Sequence, residues 1–307
     1  MCAVLLLQAT AEVALAMIEV PFPQNPKAPE NCTADFVVFG DSQGSFDPIW
    51  TISPDIDKFF GVINQIDTPM AFHLGDMYTG DTFFAASVTD QAKWFLEDKE
   101  ILNIPLYPVM GNHDARGDGW AVTRETFFKN QSTYYSFDRG DSHFVVLDAF
   151  MPGYEHTLSP DQMAWLKNDL THNEKDHVFV FVHAPLYPLG PHLGGSLDKD
   201  VAFRDDLASF MVENGVDVVF SGHEHFYASF EYEGLTQVIS GGAGGRLASP
   251  EEFDELEEEY GYDFDQIDRW VTKKSLNYIC VSTTPDSIEI TAYDLEGNII
   301  DQFTVMP

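Results

Sequence analysis

Short apolar runs recur along the chain, and five of them are followed directly by a side chain that can bind a metal ion. The runs are FVVFG, MAFHLG, LYPVMG, VFVFV and VDVVFSG. The side chains that follow them are, in chain order, Asp41, Asp76, Asn112, His183, and His223 with His225. Because the carboxyl ends of strands in an α/β sheet line one crevice, ligands placed just after each strand are expected to converge.

Longer stretches with apolar residues at helical spacing alternate with these runs, which is the rhythm of βα units. They cover residues 55–66, 90–102, 160–170 and 203–214. YYSF followed by HFVVLD predicts a β-hairpin, and NYICVST, SIEITAYD and NIIDQFTV predict antiparallel strands that close a second sheet. The predicted fold is therefore α/β, with two packed mixed β-sheets flanked by helices.

The six side chains after the runs form a mixed oxygen and nitrogen donor set of two carboxylates, one amide and three imidazoles. Such a set suits manganese, iron or zinc better than calcium, and it lacks the thiolates of structural zinc sites. Two ions about 3.5–4 Å apart can share a hydroxide, polarise a phosphoryl group and stabilise its attacking and leaving oxygens. The pattern predicts a dinuclear metal centre that hydrolyses phosphate esters.

The motifs at these positions are Gly40-Asp41, Gly75-Asp76, Gly111-Asn112-His113-Asp114, His183 and Gly222-His223-Glu224-His225. In this order they resemble the calcineurin-like metallophosphoesterase superfamily, whose pattern runs GD, GD, GNH[DE], H, GHxH. The resemblance spans roughly residues 35–245. It implies a βαβαβ sandwich fold. It also implies two divalent or mixed-valence transition metal ions, Fe, Mn or Zn, as cofactors, and attack on the phosphate ester by a metal-bound hydroxide.

The resemblance also implies a role for each motif residue. The first ion is expected on Asp41 and His225, the second on Asn112, His183 and His223, with Asp76 bridging the two. His113 is expected beside the leaving group, as a general acid or as a group that stabilises transition-state charge. Asp114 is expected to orient His113, as carboxylates orient other catalytic imidazoles.

Two departures from the family pattern lie close to the first ion. Many members have an imidazole two residues after the first aspartate, where this chain has Gln43, whose amide oxygen is a weaker ligand. The purple acid phosphatase branch also lacks that imidazole and uses a tyrosine three residues after the bridging aspartate. This chain instead has Tyr78 two residues after Asp76. Gln43 and Tyr78 are therefore candidates for metal binding or for contact with the ligands.

The resemblance to the purple acid phosphatase branch predicts the type of phosphate ester that is hydrolysed. The chain shares with purple acid phosphatases a V-x-x-H spacing that ends at His183, which favours an acid phosphatase-like phosphomonoesterase. A phosphodiesterase acting on cyclic nucleotides or other diesters is the alternative, and a metal-free binding scaffold is a remote one. Protein serine/threonine phosphatases carry an aspartate and an arginine where this chain has Thr79 and Gly80, so that assignment is disfavoured.

Two residues outside the motifs are candidates for binding the substrate. His192 lies in the loop GPHLGG shortly after His183, where it could reach the substrate phosphate. Arg246, one of six arginines, directly follows the glycine cluster at 241–245. We interpret that cluster as a loop lining the crevice, because glycines let the backbone approach the metal centre closely.

The chain is strongly acidic, with 50 acidic and 16 basic residues and a formal net charge of −34. Self-repulsion of this size is best tolerated where salt screens it, because the Debye length falls to about 3 Å at 1 M. We therefore expect an acidic proteome and a halophilic source. The charge disfavours nucleic acid and anionic membranes as partners. A small phosphorylated substrate is itself anionic, so bound ions must reverse the local potential.

The amino end contains two short apolar stretches, and Ala14-Leu15-Ala16 resembles a signal cleavage site, although no Lys or Arg precedes Lys27. We interpret residues 1–30 as a lead segment, either a degraded signal peptide with a linker or an amphipathic or disordered lead. The segment is too interrupted to span a bilayer. A signal favours an extracellular or periplasmic location, with the cytoplasm as the alternative. Residues 31–307 are then predicted to form a single catalytic domain.

Two other features leave alternatives open. Cys32 and Cys280 could form a disulfide if the lead is removed, or they could stay free thiols. The acidic run at 251–260 is interpreted as a solvated helix or a flexible flap, with a calcium or cationic-partner site as the alternative.

Overall fold

The computed structural model describes residues 20–44, 51–83, 85–250 and 267–306. In these ranges the chain forms two β-sheets. One contains β1 Phe36–Phe39, β2 Ala71–His73, β3 Leu106–Pro108, β11 Tyr278–Thr284, β12 Ser287–Tyr293 and β13 Ile299–Val305. The other contains β4 Tyr135–Arg139, β5 Ser142–Val146, β6 His177–Phe181, β7 Val218–Ser221, β8 Tyr227–Tyr232, β9 Leu235–Ser240 and β10 Ile267–Lys273.

Both sheets mix parallel and antiparallel pairs. The first has the strand order β13-β12-β11-β1-β2-β3, with β1 to β3 parallel and β11 to β13 antiparallel. The second has the order β10-β8-β9-β7-β6-β5-β4, with β5, β6, β7 and β9 parallel and the predicted hairpin β4–β5 antiparallel. The predicted α/β fold of two packed mixed sheets flanked by helices is confirmed.

The packing of the layers can be read from β1. Side chains of a strand alternate between its two faces. Phe36 and Val38 lie in the apolar core between the two sheets, whereas Val37 and Phe39 lie in the core beneath the helices. All four residues are fully buried. A strand buried on both faces has a continuous apolar sequence, which explains why FVVF shows no polar alternation.

Five α-helices occur in the described ranges: α1 Ile56–Ile63, α2 Val88–Lys99, α3 Gly119–Thr126, α4 Pro160–Thr171 and α5 Val201–Glu213. The serines before α2 and α4 cap them, because the side chains of Ser87 and Ser159 accept hydrogen bonds from amides of the first turn. The sequence predicts four of the five helices. It misses α3, in which only Gly119 and Thr123 are buried, so no apolar stripe marks it.

Two side-chain contacts away from the ligand loops concern titratable groups. The Sγ atoms of Cys32 and Cys280 lie 3.5 Å apart, and both residues are free thiols. We call them the thiol pair. The imidazole of His143 lies between two carboxylates, with Nδ1 2.7 Å from Asp138 Oδ1 and Nε2 2.8 Å from Asp169 Oδ2.

Some predictions concern segments that lie outside the described residues. These are the signal-like site at 14–16 and the acidic run at 251–260. Among the helices of the described ranges, none combines the length and apolar character needed to cross a membrane.

Candidate metal centre

The loops that carry the predicted ligands come from both sheets. Asp41, Asp76 and Asn112 follow β1, β2 and β3 in the first sheet, and the histidines follow β6 and β7 in the second. Backbone hydrogen bonds join neighbouring loops: Asp41 N donates to Gly75 O at 3.0 Å, and Gly222 N donates to His183 O at 3.1 Å. The centre therefore lies where corresponding ends of the two sheets meet.

The glycines of the motifs allow these loops to approach one another. Gly75 has a φ of +99°, and a Cβ added to it would lie 2.8 Å from His183 Nδ1. A Cβ on Gly222 would lie 2.3 Å from Asp41 Oδ2. Both distances are too short for real contacts, so a side chain at either position would displace a neighbouring candidate ligand.

Four of the candidate ligands themselves have left-handed backbone conformations. The φ angles of Asp41, Asp76, His223 and His225 are 65°, 57°, 71° and 55°. This region is unfavourable for residues with a Cβ, and such strain recurs at functional sites because the surrounding structure imposes it. The strained backbone turns four side chains inward at the ends of three strands.

The predicted ligands form two overlapping groups. Ligand atoms of Asp76, His183 and His223 lie within 4.8 Å of one another, and so do those of Asp41, Asp76 and His225. Both groups consist of nitrogen and oxygen donors, and they share the buried Asp76. A carboxylate common to two groups has the position required to bridge two ions.

The sixth predicted ligand lies beside the group that contains both His183 and His223. The side-chain oxygen of Asn112, Oδ1, lies 3.0 Å from His183 Nε2. His183 Nε2 also lies 3.2 Å from His223 Nδ1 and 3.4 Å from Asp76 Oδ2. One imidazole nitrogen is therefore surrounded by atoms from three other candidate ligands.

Hydrogen bonds to backbone carbonyls fix the orientation of two of the imidazoles. His183 Nδ1 lies 2.7 Å from Leu74 O, and His225 Nδ1 lies 2.7 Å from Arg246 O. A carbonyl oxygen only accepts, so Nδ1 carries the proton in both rings, and in the neutral ring Nε2 presents a lone pair. His183 Nε2 faces Asn112 Oδ1 and Asp76 Oδ2, and His225 Nε2 lies 3.4 Å from Asp41 Oδ1. A cation between each nitrogen and these oxygens would be bound by both.

The charges at the centre also call for a cation. Burial alone would lower the pKa of His183, but the carboxylates of Asp76 and Asp41 outweigh it and raise that pKa to about 9. Without an ion, the cluster therefore takes up a proton at His183. A metal ion supplies the same positive charge, so the donor set and its electrostatics fit metal binding.

Gln43 lies within the group that contains Asp41. Its Nε2 atom is 2.9 Å from His225 Nε2 and 3.1 Å from Asp76 Oδ2, whereas its buried Oε1 atom has no hydrogen-bond partner among the described residues. Rotating an amide by 180° exchanges its oxygen and nitrogen at almost the same positions. The rotated amide would direct Oε1 at this group, so the geometry is compatible with Gln43 as a ligand.

The prediction that Tyr78 binds or contacts the metal centre is wrong. Its ring is fully buried in the core beneath the helices, and its hydroxyl is hydrogen-bonded to Thr123 Oγ1, which in turn donates to Asp114 O at 2.9 Å. Burial, together with the nearby Asp114 carboxylate, raises the pKa of Tyr78 and disfavours tyrosinate. A residue two positions after Asp76 points into this core, away from the ligand groups.

His113 lies at the centre but belongs to neither ligand group. Its Nδ1 atom is 2.7 Å from Thr79 O, and its Nε2 atom is 4.0 Å from Asp76 Oδ2. The side chain lines a cavity of about 420 Å³ that opens above the ligands. The ring is therefore oriented by a backbone carbonyl and faces the space in which a substrate would bind.

The prediction that Asp114 orients the His113 ring is wrong. The carboxylate of Asp114 accepts hydrogen bonds from backbone amides: Oδ2 from Asp76 N at 2.7 Å and Gly111 N at 3.0 Å, and Oδ1 from Met77 N at 2.9 Å. Asp114 therefore stabilises the loop that carries Asp76. The partner of His113, a backbone carbonyl, has no signature in the sequence.

Besides His113 and the candidate ligands, three side chains that can carry a positive charge lie along the same cavity: the predicted His192 and Arg246, and Lys274, which the sequence does not predict. The ring of His192 stacks on that of His223 with centroids 3.8 Å apart. Arg246 follows the glycine loop, whose Gly245 N donates to Asp41 O at 2.8 Å. Lys274 follows β10 at a position that has no motif, so only the folded chain brings it here.

Comparison with known proteins identifies the family of this chain. A family model described as calcineurin-like phosphoesterase matches residues 34–227, well over half of the chain. A human relative named Serine/threonine-protein phosphatase CPPED1 is 33% identical over 159 residues, which cover 47% of this chain and 49% of the relative. Purple acid phosphatase 23 of Arabidopsis thaliana is 26% identical over 138 residues, 40% of this chain and 29% of that protein. The chain thus spans about half, or less, of the length of these relatives.

Solved structures show the same fold. Purple acid phosphatase PPD1 from yellow lupin (Lupinus luteus) superposes with a TM-score of 0.70 at 17% identity, over 92% of this chain and 55% of that one. A dimetal phosphatase from Danio rerio superposes with a TM-score of 0.60 at 12% identity, over 88% of this chain and 98% of that one. With the family model, the ordered motifs and their convergence taken together, the chain belongs to the calcineurin-like phosphoesterase family.

Proposed function

We propose that this chain is a phosphatase that depends on two metal ions and hydrolyses phosphomonoesters. The observation that carries the proposal is the pair of ligand groups that share Asp76, each with its ligand atoms within 4.8 Å. In this proposal the first ion is held by Asp41 and His225 with Gln43 beside it, and the second by Asn112, His183 and His223.

The two ions would activate a water molecule and withdraw charge from the phosphoryl group. The remaining chemistry belongs to the side chains around them. Because the Nδ1 proton of His113 is held by Thr79 O, its Nε2 atom is free to face the substrate, and when protonated it can donate to the oxygen of the leaving group. His192, Arg246 and Lys274 can pair with phosphate oxygens at the cavity.

The charge along the cavity favours monoesters over diesters. A phosphomonoester carries up to one negative charge more than a diester. Besides His113 and the candidate ligands, His192, Arg246 and Lys274 can be cationic and line this cavity, in a chain whose net charge is −34. Similarity to purple acid phosphatases points in the same direction. A phosphodiesterase remains the alternative.

A relative named as a serine/threonine-protein phosphatase makes phosphoserine and phosphothreonine peptides a second class of monoester to test. The sequence disfavours that class because Thr79 and Gly80 replace an aspartate and an arginine. In the structure, Thr79 O binds His113 and Gly80 packs close to the same residue, so these positions do support the site. Phosphopeptide hydrolysis is therefore the direct test of that prediction.

We propose that residues 31–307 form one catalytic domain, that the protein is extracellular or periplasmic, and that its charge adapts it to high salt. Part of the lead packs on the domain, because Lys27 N donates to Leu295 O at 2.8 Å and Phe22 contacts the core beneath the helices.

The decisive experiment pairs metal reconstitution with matched substrates. Metal-free protein is supplied with Mn²⁺, Zn²⁺ or Fe²⁺ and assayed with p-nitrophenyl phosphate, bis-p-nitrophenyl phosphate and a phosphoserine peptide. We expect metal-dependent hydrolysis with preference for p-nitrophenyl phosphate. A preference for the diester would select the phosphodiesterase alternative, and no hydrolysis with any metal would contradict the proposed function.

A further inference from the structure

The buried carboxylate of Glu224 has a role that the ligand set leaves unexplained. Glu224 lies between two candidate ligands in the motif Gly222-His223-Glu224-His225, and its side chain is fully buried. It belongs to neither ligand group. A buried carboxylate costs free energy unless charge or hydrogen bonds compensate it, so its surroundings indicate what it does.

The surroundings of Glu224 are formed by the loop that carries His192. Glu224 Oε1 accepts a hydrogen bond from His192 N at 3.2 Å and lies 3.4 Å from His192 Nδ1. A Cβ added to Gly190, at the start of that loop, would lie 2.5 Å from Glu224 Oε2. The loop therefore passes directly over the carboxylate, and a glycine at 190 makes this close contact possible.

The carboxylate contacts the same imidazole that stacks on His223, a candidate ligand of the second ion. The His192 ring stacks on His223 with centroids 3.8 Å apart and an angle of 27° between the planes. Its side chain remains 35% exposed and lines the cavity. One edge of the ring thus meets a buried negative charge, while the ring itself borders the space for substrate.

We propose that Glu224 is a positioning residue that holds His192 as a phosphate-binding group. The carboxylate accepts a hydrogen bond from the backbone amide of His192 and contacts its ring, and it thereby fixes the direction in which the ring faces the cavity. This inference rests on the proposed function, because it assigns His192 to the phosphate of the substrate. A glutamine would keep the hydrogen bond from His192 N but not the charge, which makes Glu224→Gln the informative variant.

The test is a double-mutant cycle on the metal-loaded protein with Glu224→Gln, His192→Ala and both together. Metal content is measured for each variant, and inorganic phosphate is titrated by calorimetry alongside kcat and KM for p-nitrophenyl phosphate. We expect His192→Ala to weaken phosphate binding about tenfold or more, the scale of a hydrogen bond to a charged group. Glu224→Gln should weaken it in the same direction and raise KM more than it lowers kcat.

The decisive expectation is that Glu224→Gln has no further effect once His192 is alanine, with two ions still bound in every variant. Equal losses in both backgrounds would overturn the inference, because they would show that Glu224 acts without His192. Loss of metal in Glu224→Gln would overturn it too, by assigning Glu224 to the ions. Asp301→Asn, at a buried carboxylate bonded to Tyr227, Ser229 and the cationic Arg269 away from the cavity, is the control for general destabilisation.

Failure of the proposed function has a different signature. A wild-type protein that binds metal and phosphate but hydrolyses none of the esters would contradict the phosphatase proposal. The coupling between Glu224 and His192 would still be read from phosphate binding. The failures of the two proposals can therefore be distinguished.

Discussion

Replacing His113 with alanine separates metal binding from catalysis. The ring belongs to neither ligand group, and its Nε2 atom lies 4.0 Å from Asp76 Oδ2, at the edge of the cavity. His113→Ala should therefore retain both ions. It should also retain the backbone hydrogen bond from His113 N to Asp76 Oδ1, at 2.8 Å, because that bond does not involve the side chain.

The expected loss of turnover follows from the chemistry of the missing group. Proton transfer by a positioned side chain contributes about 10²–10⁴-fold, which corresponds to about 2.7–5.4 kcal/mol of transition-state stabilisation. A general acid matters most when the leaving group is basic. The loss should thus be larger for phenyl phosphate than for p-nitrophenyl phosphate, whose leaving group departs readily without a proton.

The assay compares kcat for these two substrates in wild type, His113→Ala and His172→Ala, with metal content measured on the same samples. His172 is an exposed histidine at the end of α4 and serves as the matched control. Loss of metal from His113→Ala would refute the assigned role. An equal loss of kcat for both substrates would refute general-acid catalysis and leave charge stabilisation as the role of His113.

Four other outcomes test separate parts of the structure. Tyr78→Phe should keep metal content and kcat within about twofold and should lower the free energy of unfolding by about 1 kcal/mol, because one hydrogen bond is lost. Denaturant unfolding and metal analysis check this. Loss of metal would make Tyr78 a candidate ligand again. Gly75→Ala should lower the number of bound ions, measured by elemental analysis, because the new Cβ would meet His183 Nδ1 at 2.8 Å. For His143, burial lowers the pKa but hydrogen bonds to two carboxylates outweigh it, so the folded pKa is raised above 6.5. The stabilisation that His143 gives is complete below pH 6.5 and is lost as pH rises through the folded pKa. The unfolding free energy of wild type should therefore approach that of His143→Gln at alkaline pH. A difference in unfolding free energy between the two proteins that stays constant with pH would contradict this. Excess oxidised glutathione should convert the thiol pair to a disulfide, which leaves two fewer titratable thiols per chain and raises the Tm. An unchanged number of titratable thiols would show that the pair does not form a disulfide.

The convergence of much of the candidate ligand set could be predicted because strand ends constrain it locally. A buried strand is visible in the sequence as an apolar run, and the residue after it must lie at the carboxyl end of that strand. Asp41, Asp76 and His183 could therefore be placed at strand ends without tertiary information. The sequence does not reveal that strand ends from two different sheets meet at one place. That convergence depends on β1 and β6 packing in different layers.

The failed predictions concern the directions in which side chains point, which the spacing of residues in the sequence does not determine. Tyr78 and Asp114 lie within two residues of candidate ligands or of His113, yet one points into the core and the other binds backbone amides. Lys274 and the contact between Glu224 and His192 depend on where distant loops pass over the cavity. Sequence proximity identifies the neighbourhood of a site, whereas side-chain direction is set by the packing of the whole fold.

We propose that six side chains from two sheets surround a pair of metal ions. The most direct measurement is the number of Mn²⁺ ions bound per chain, determined by calorimetric titration of metal-free wild type and of Asp76→Ala. We predict two ions for wild type and severely weakened binding of both in Asp76→Ala, because Asp76 belongs to both ligand groups. Binding of one ion or none by wild type, or two ions retained at full affinity without Asp76, would contradict the claim.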